Sequence, residues 1–339
     1  MSRERISIAM CTFNSARFLN EQLESFASQT RKPDELVICD DASTDATVEI
    51  IRAFASGASF PVRLVENLKN IGINRNFAKV IGLCDGDIIF LSDADDVWLS
   101  NKLALITEVF LSSAEIGGVI TDAMVVNKSL QPLGFSSWQV TKFNQKQQRR
   151  VLRGKPEALL KHSYRSLTGA TLAFRSRFRE LVLPLPGAWT HDGWIALIIG
   201  SIGKLMPVPE PLNLWRQHEQ QMAGSWKRIN FRQQIEMASY KDLLIEAGIA
   251  DRQYHSAGER IAQMELTGLE AARARKLLGR IGERAYHLNK RASMPPNKAG
   301  RFFSVAGELM SLRYFLYSSG FKSMASDLFL FKRKPTSNI

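Results

Sequence analysis

The chain has 339 residues, 45% hydrophobic and 23% charged, with a formal net charge of +12. It reads as an ordered, soluble protein with room for one large domain plus an appendage, or two domains. The charge is uneven: the first hundred residues hold ten Lys/Arg against fifteen Asp/Glu, which leaves +17 on the remainder. No interleaved basic and aromatic motif points to nucleic acid, and an anionic membrane surface suits the basic part better. Cys11, Cys39 and Cys84 are odd in number and lack metal-ligand spacing, so three buried thiols in a reducing compartment are expected. The N-terminus leads into a short strand-like run rather than a signal peptide, and no run reaches the ~18 apolar residues of a membrane span. A cytoplasmic location is expected, peripheral on the inner face of the plasma membrane.

In chain order, residues 6–11 form an apolar strand, followed by a loop and a helix over 18–28 with Leu19, Leu23 and Phe26 on one face. The unit repeats: a strand over 35–39, a turn over 40–45, and a helix over 46–55 that Ser43 or Thr44 would cap. A third strand over 61–65, a helix over 74–83 and a fourth strand over 87–91 follow. Strands alternating with helices predict an α/β fold with a mostly parallel sheet and ligands collected at the carboxyl ends of its strands. Beyond it, a helix is expected over 98–111, a strand over 118–126, a basic loop or lid over 136–156, a strand over 167–174, a helix from Thr190 to Ile199 and extended chain over 205–215. After residue 229 the pattern turns to long basic helices, which divides the chain into 1–225 and a helical region over 226–339.

The fourth strand ends in Asp93, Asp95 and Asp96. Carboxylates crowded at the end of a buried strand repel one another and resist desolvation, so a divalent cation or a bound ligand is expected to compensate them. Oxygen ligands of this kind suit Mg²⁺ or Mn²⁺, which complete their shell with water and substrate phosphates. Asp95 is the expected direct ligand, with Asp93 nearer a sugar or ribose. A helix N-cap is the plainer reading, although one Asp would serve for that. The turn Asp40-Asp41-Ala42-Ser43-Thr44-Asp45 either binds a base or ribose or is turn chemistry alone. Neither a GxGxxG nor a P-loop signature occurs, so a nucleotide would be held another way.

These pieces, together with Cys11-Thr12-Phe13-Asn14, Gln29-Thr30, Pro33 and Asn70-Ile71-Gly72, resemble the family 2 glycosyltransferases of the GT-A fold from residue 6 to about 224. Later pieces, Gly169 to Phe174, His191-Asp192-Gly193-Trp194 and Trp215-Arg216-Gln217-His218, are similar to rhamnosyltransferases of bacterial surface polysaccharides. The resemblance implies a nucleotide-diphosphate sugar as donor, UDP- or dTDP-linked with dTDP-rhamnose foremost, and a glycan or lipid-linked glycan as acceptor. It implies that Asp41 contacts the base, that Thr12 and Asn14 line the nucleoside pocket, that Asp95 binds the metal and that Asp192 is the general base. A carboxylate within reach of an acceptor hydroxyl takes its proton as that oxygen attacks the anomeric carbon, and a single displacement inverts that centre.

Plainer readings stand beside these. Asp192 would equally cap its helix, His191 reads as a packing or orienting residue, and Trp189, Trp194 and Trp215 are either a sugar platform or core. Arg216 and His218 are expected to reach the diphosphate, or to form ordinary ion pairs. A sugar-phosphate nucleotidyltransferase and a non-catalytic sugar-binding scaffold are the rival functions; against the first, residues 12–17 contain no glycine for a triphosphate loop. The C-terminal region offers Arg252, Arg260, Arg273, Arg275, Lys276, Arg280, Arg284, Lys290, Arg291 and Lys298. Phe302, Phe303, Tyr314, Phe315 and Phe321 follow or intersperse them. The combination predicts docking on anionic lipid, with a solvated helix packed on the catalytic domain or a partner subunit as the alternative; an oligomer is compatible with either.

Overall fold

The computed structural model describes residues 3–160, 169–219, 240–295 and 297–330. The chain divides into two compact units, Met1–Leu159 with Tyr164–Trp226, and Leu160–Ser163 with Lys227–Ile339. The boundary expected near residue 225 falls outside the described residues, as does the start of the strand expected from residue 167.

In the first unit, β1 (Ile6–Thr12), β2 (Glu35–Asp40), β3 (Val62–Glu66) and β4 (Ile88–Ser92) alternate with α1 (Ala16–Ala27), α2 (Thr47–Gly57) and α3 (Ile73–Leu83). β2 and β4 are buried at every residue, and β1 at all but Cys11. Such unbroken burial is what a parallel strand covered on both faces requires, and it explains why these runs are continuously apolar rather than alternating. β1, β2, β3 and β4 pair in parallel, with Thr12 opposite Asp40 and Met10 opposite Ser92. Their carboxyl ends therefore lie along one edge.

The rest of the sheet adds antiparallel strands to this parallel half. β5 (Val97–Trp98), β6 (Ile116–Val126), β7 (Pro132–Ser136), β8 (Leu172–Arg175) and β9 (Lys204–Arg216) extend it in the order β3-β2-β1-β4-β8-β6-β9-β5, with β7 beside β6. β8 runs antiparallel to both β4 and β6, and β5 antiparallel to β9, whereas β6 and β9 pair in parallel, so the sheet is mixed. Nor does a helix begin at Trp98: β5 comes first, and α4 (Lys102–Leu111) starts only at Lys102. The three aspartates thus precede a strand, and the N-cap reading of that cluster fails. The segment expected as a basic loop folds into α5 (Ser137–Thr141) and α6 (Gln145–Leu152), each opened by a reciprocal capping box, Ser136 with Gln139 and Asn144 with Gln147. α7 (Arg179–Val182) and the wholly buried α8 (His191–Ile202) complete the unit. Trp189, Trp194 and Trp215 are all buried, and Trp194 donates to the Val182 carbonyl, so the three are core rather than a sugar platform.

The second unit is helical: α9 (Tyr240–Ala262), α10 (Gly268–Ala292), α11 (Lys298–Met310), α12 (Arg313–Tyr317) and α13 (Phe321–Ala325). α9 and α10 share an apolar seam of Leu243, Ala247 and Ala250 against Ala285, Leu288 and Ala292. Several residues expected to dock on anionic lipid are instead interior. Arg284 is buried against Gln253, Arg291 forms a forked pair with Asp327, and Tyr314 is buried with its hydroxyl on the same aspartate. Among the described residues no helix is long and apolar enough to cross a membrane.

Because Asn144 accepts from both Lys146 N and Gln147 N, Asn144→Ala is expected to cost about 1 kcal/mol, read as a lowered midpoint in urea unfolding with an unchanged slope.

Candidate active site

Three loops leave the sheet at the carboxyl ends of β1, β2 and β4. The first two are bound into one piece by Asp40, which accepts from Thr12 Oγ1 at 2.8 Å, Ser43 Oγ at 2.6 Å and Ser43 N at 2.8 Å. Asn14 completes the join: its amide donates to Ser43 Oγ at 2.9 Å and its side-chain oxygen accepts from Thr44 N at 2.8 Å. Ser43 and Thr44 are thus spent on the loop and not on capping α2, whose N-cap is Ala46. Asn14 and Ala42 both hold left-handed backbone, at φ of 46° and 63°. For alanine that conformation carries a cost, which persists only where surrounding contacts enforce it.

Asp41 is buried and faces the chain ahead of α3. Its Oδ1 accepts from Asn67 Nδ2 and Ile71 N, both at 2.8 Å, and its Oδ2 accepts from Gly72 N at 2.9 Å. Gly72 sits at φ 85° and ψ 154°, a region essentially closed to residues with a Cβ, which is why glycine stands there. Asp41 therefore anchors a third loop, and a carboxylate's four acceptor sites leave it one more. Thr12, buried with its hydroxyl on Asp40, serves the same architecture.

The acidic cluster lies at the end of β4. Burial first, and then the charges of Asp95 and Asp192, push the Asp93 carboxyl up to about 7, against an opposing hydrogen bond from the Ala170 amide. Asp96, fully buried, is pushed well above the carboxylate range by burial and by Asp95 and Asp93; its Oδ1 accepts from Arg216 N at 3.1 Å, and its Oδ2 has no partner among the described residues. Asp192 enters from the first turn of α8, 6% exposed, with Oδ1 accepting from Gly193 N at 2.7 Å. The N-cap is Thr190 rather than Asp192. Cys11 links the two acidic regions: its thiol is pushed well up by burial, and further by Cys39, Asp93 and Asp41. Asp41, Asp93, Asp95 and Asp192 are thus brought to one neighbourhood.

Arg216 and His218, alike in sequence expectation, part company. The Arg216 guanidinium is 1% exposed and wholly engaged, donating to the Asp95 carbonyl and the Lys128 carbonyl, each at 2.7 Å, and to the Glu21 carboxylate, while stacked over Phe18. It is an internal strut, buried and bonded within the protein at each of its three nitrogens. His218 instead sets Nε2 2.9 Å from Asp95 Oδ2, at the expected metal carboxylate. His191 is a packing residue, as expected: its ring lies flat on Phe77 at 3.8 Å between centroids, and its buried Nε2 has no partner among the described residues.

Three residues with no role assigned from sequence, Lys102, Asn213 and Ala170, shape the cluster. Lys102 is buried, with Nζ donating to the Ala170 carbonyl at 2.5 Å and Asn213 Oδ1 at 2.7 Å and lying 3.6 Å from the centroid of Trp98. Burial drives its pKa well down, opposed by Asp96 and Asp93. Its signal was its register: Lys102 shares the buried face of α4 with Ile106 and Phe110. Asn213 and Ala170 lie in strand-like runs that give no hint of it. Phe13, 51% exposed between Thr12 and Asn14, leaves a ring open to solvent at the nucleoside loop. Among the described residues no three His, Cys, Asp or Glu side chains form a ready-made metal cage. The donor set nevertheless fits a hard cation: carboxylate oxygens at Asp93 and Asp95, a partnerless buried oxygen on Asp96, and a shortage of positive charge that Lys102 alone does not meet.

Comparison with known proteins agrees with this geometry. Residues 7–166 match the family described as Glycosyl transferase family 2. A glycosyltransferase of Nostoc sp. is 27% identical over 217 residues, 63% of this chain and 65% of that one. The abequosyltransferase RfbV of Salmonella typhimurium is 33% identical over 113 residues, 33% of this chain and 34% of that one. The chain therefore spans less than two thirds of the length of these curated relatives. In fold it is similar to a fragment of S. aureus TarS crystallised with UDP-GlcNAc, with a TM-score of 0.57 at 15% identity over 96% of this chain and 88% of that one. The match to the family 2 glycosyltransferases thus lies almost wholly within the first unit, and the fold is similar to that of the TarS fragment.

Two outcomes follow from the geometry. A raised carboxyl pKa means that the folded state binds a proton the unfolded chain releases, so without metal Asp93 lowers stability as pH rises from about 4 to about 7. In EDTA, Asp93→Asn is expected to melt several degrees above the parent at pH 8 and to converge with it toward pH 4. A Cβ on Gly169 would fall 2.4 Å from His191 Nε2, so Gly169→Ala is expected to lower the melting temperature and disturb Asp192 alongside, measured as a loss of donor turnover.

Proposed function

We propose that this protein is an inverting, metal-dependent glycosyltransferase that moves a sugar from a nucleoside diphosphate to a hydroxyl of a glycan acceptor. The observation that carries the reading is the meeting of Asp192 with the Asp93–Asp95 pair, at the edge where Asp41 organises the neighbouring loop. One carboxylate region would hold the leaving diphosphate and another would face the attacking hydroxyl.

In this reading the base of the donor lies against the Asn14 and Asp41 loops, with the spare acceptor of Asp41 taking a base N–H and the Phe13 ring offering it a stacking face. Asp93 lies nearer the sugar or ribose, and Asp95 with His218 flanks the diphosphate. When bound, Mg²⁺ or Mn²⁺ supplies the positive charge that offsets the departing diphosphate, held through Asp95. Asp192 accepts the acceptor proton as the new C–O bond forms at the anomeric carbon and the bond to the diphosphate oxygen breaks. We propose a UDP- or dTDP-sugar as donor, dTDP-rhamnose foremost. The acceptor is a lipid-linked glycan of surface polysaccharide synthesis, met at the inner face of the plasma membrane.

Asp192→Asn is expected to lower transfer by about 10²–10⁴-fold while leaving nucleotide affinity nearly unchanged, and unchanged turnover would remove the assigned base. A thermal-shift screen of nucleotide sugars with and without Mn²⁺ should give a metal-dependent rise in melting temperature for the true donor. No rise with any donor would overturn the reading.

A further inference from the structure

In the second unit, α11 is turned the wrong way round for a solvated helix. Its buried side carries Val305 and Glu308, the latter bonded to His287 at 2.7 Å, while its outer side carries Phe302, Phe303 and Met310. Phe303 is 72% and Met310 86% exposed, and Leu312 and Phe321 are also exposed close by in sequence. Single exposed apolar residues are ordinary, but Phe302 and Phe303 touch edge to face on one exposed turn, and a grouped exposed patch marks an interaction surface.

The charges around them decide the occupant. Residues 271–330 contain eleven Lys/Arg and three Asp/Glu. All three acids are paired: Glu308 and Asp327 inside, with His287 and Arg313 and with Arg291 and Tyr314, and Glu283 at the surface with Arg280 and Tyr317. Apart from Glu270 at the start of α10, the unpaired outward charge of α10 and α11 is carried by cations, Lys298 and Lys290 among them. A second copy of the chain docked on the same stripe would set like charges against each other. A bilayer with anionic headgroups meets both demands, since it takes phenylalanine at the acyl boundary and cations at the phosphates above it.

We infer that the outer face of α11, with Phe302 and Phe303 as its anchors, docks the protein on an anionic lipid surface. This inference goes beyond the transfer reaction and names the surface that would bring the proposed enzyme to a lipid-linked acceptor. It is tested by flotation of the full chain with vesicles of phosphatidylcholine alone and of phosphatidylcholine with phosphatidylglycerol. Binding is expected to the anionic vesicles only, to weaken with salt, and to fall at least about tenfold in the Phe302→Ser/Phe303→Ser double variant and measurably in Lys298→Glu. Melting temperature and nucleotide-sugar binding of these variants should match the parent, so docking and transfer can fail separately. The inference is overturned by absent or charge-independent vesicle binding, or by undiminished binding of the double variant. It also falls if sedimentation shows a dimer that the double variant dissolves, or if a single-stranded oligonucleotide engages the same phenylalanines in place of lipid.

Discussion

The first unit is organised around the cost of gathering carboxylates where water is scarce. Asp93, Asp95, Asp96 and Asp192 meet at the end of β4, and the pKa of Asp93 near 7 records the strain. Partial relief comes from within. Lys102 lies beneath the cluster, fixed by Ala170, Asn213 and the face of Trp98, and the backbone amides of Ala170 and Arg216 point into it. The residual negative charge is what makes the place receptive to a cation and, through it, to phosphate. An apolar substitute for these groups would fold at lower cost and bind nothing.

Much of the polar chemistry at this edge is spent on architecture. Asp40 fastens the Thr12 and Ser43 segments, Asp41 holds Ile71 and Gly72, and Asn14 spans two loops. Arg216, placed two residues before His218, locks the Asp95 backbone, α1 and the chain at Lys128 together. Groups tied down this way arrive at a ligand already oriented, which lowers the ordering cost of binding. The division of labour between Arg216 and His218 rests on reach: the long guanidinium reaches three internal acceptors, whereas the shorter imidazole meets the Asp95 carboxylate.

The second unit is built differently, with buried polar pairs in place of a large apolar core. His287 bridges Glu308 and Ser318, and Arg291 and Tyr314 share Asp327. Burial holds His287 below its ordinary pKa, opposed mainly by the Glu308 bond. Such networks fix helix register at little net gain in stability, and here they draw Glu308 and Asp327 inward, away from the surface of α11.

The alternation of apolar runs with helical periodicity was enough to read β1 to β4 with their helices, because β1, β2 and β4, covered on both faces, are nearly unbroken apolar runs and the edge strand β3 keeps the period-two alternation of a half-covered one at Val62-Arg63-Leu64. The Asp93–Asp96 cluster and the Asp40–Asp45 turn were equally legible, since charge at a strand end has few other reasons to be there. The capping boxes at Ser136 and Asn144 were present in the sequence but masked by surrounding basic residues. What local pattern does not encode is partner choice across distance. The antiparallel entry of β8 between β4 and β6, the short strand at Val97–Trp98, and the inward turn of Lys102 and Arg216 each depend on a segment far along the chain that supplies the hydrogen bonds. A side chain's role as ligand or strut is set by which acceptors the fold puts within its reach, and only the tertiary structure decides that.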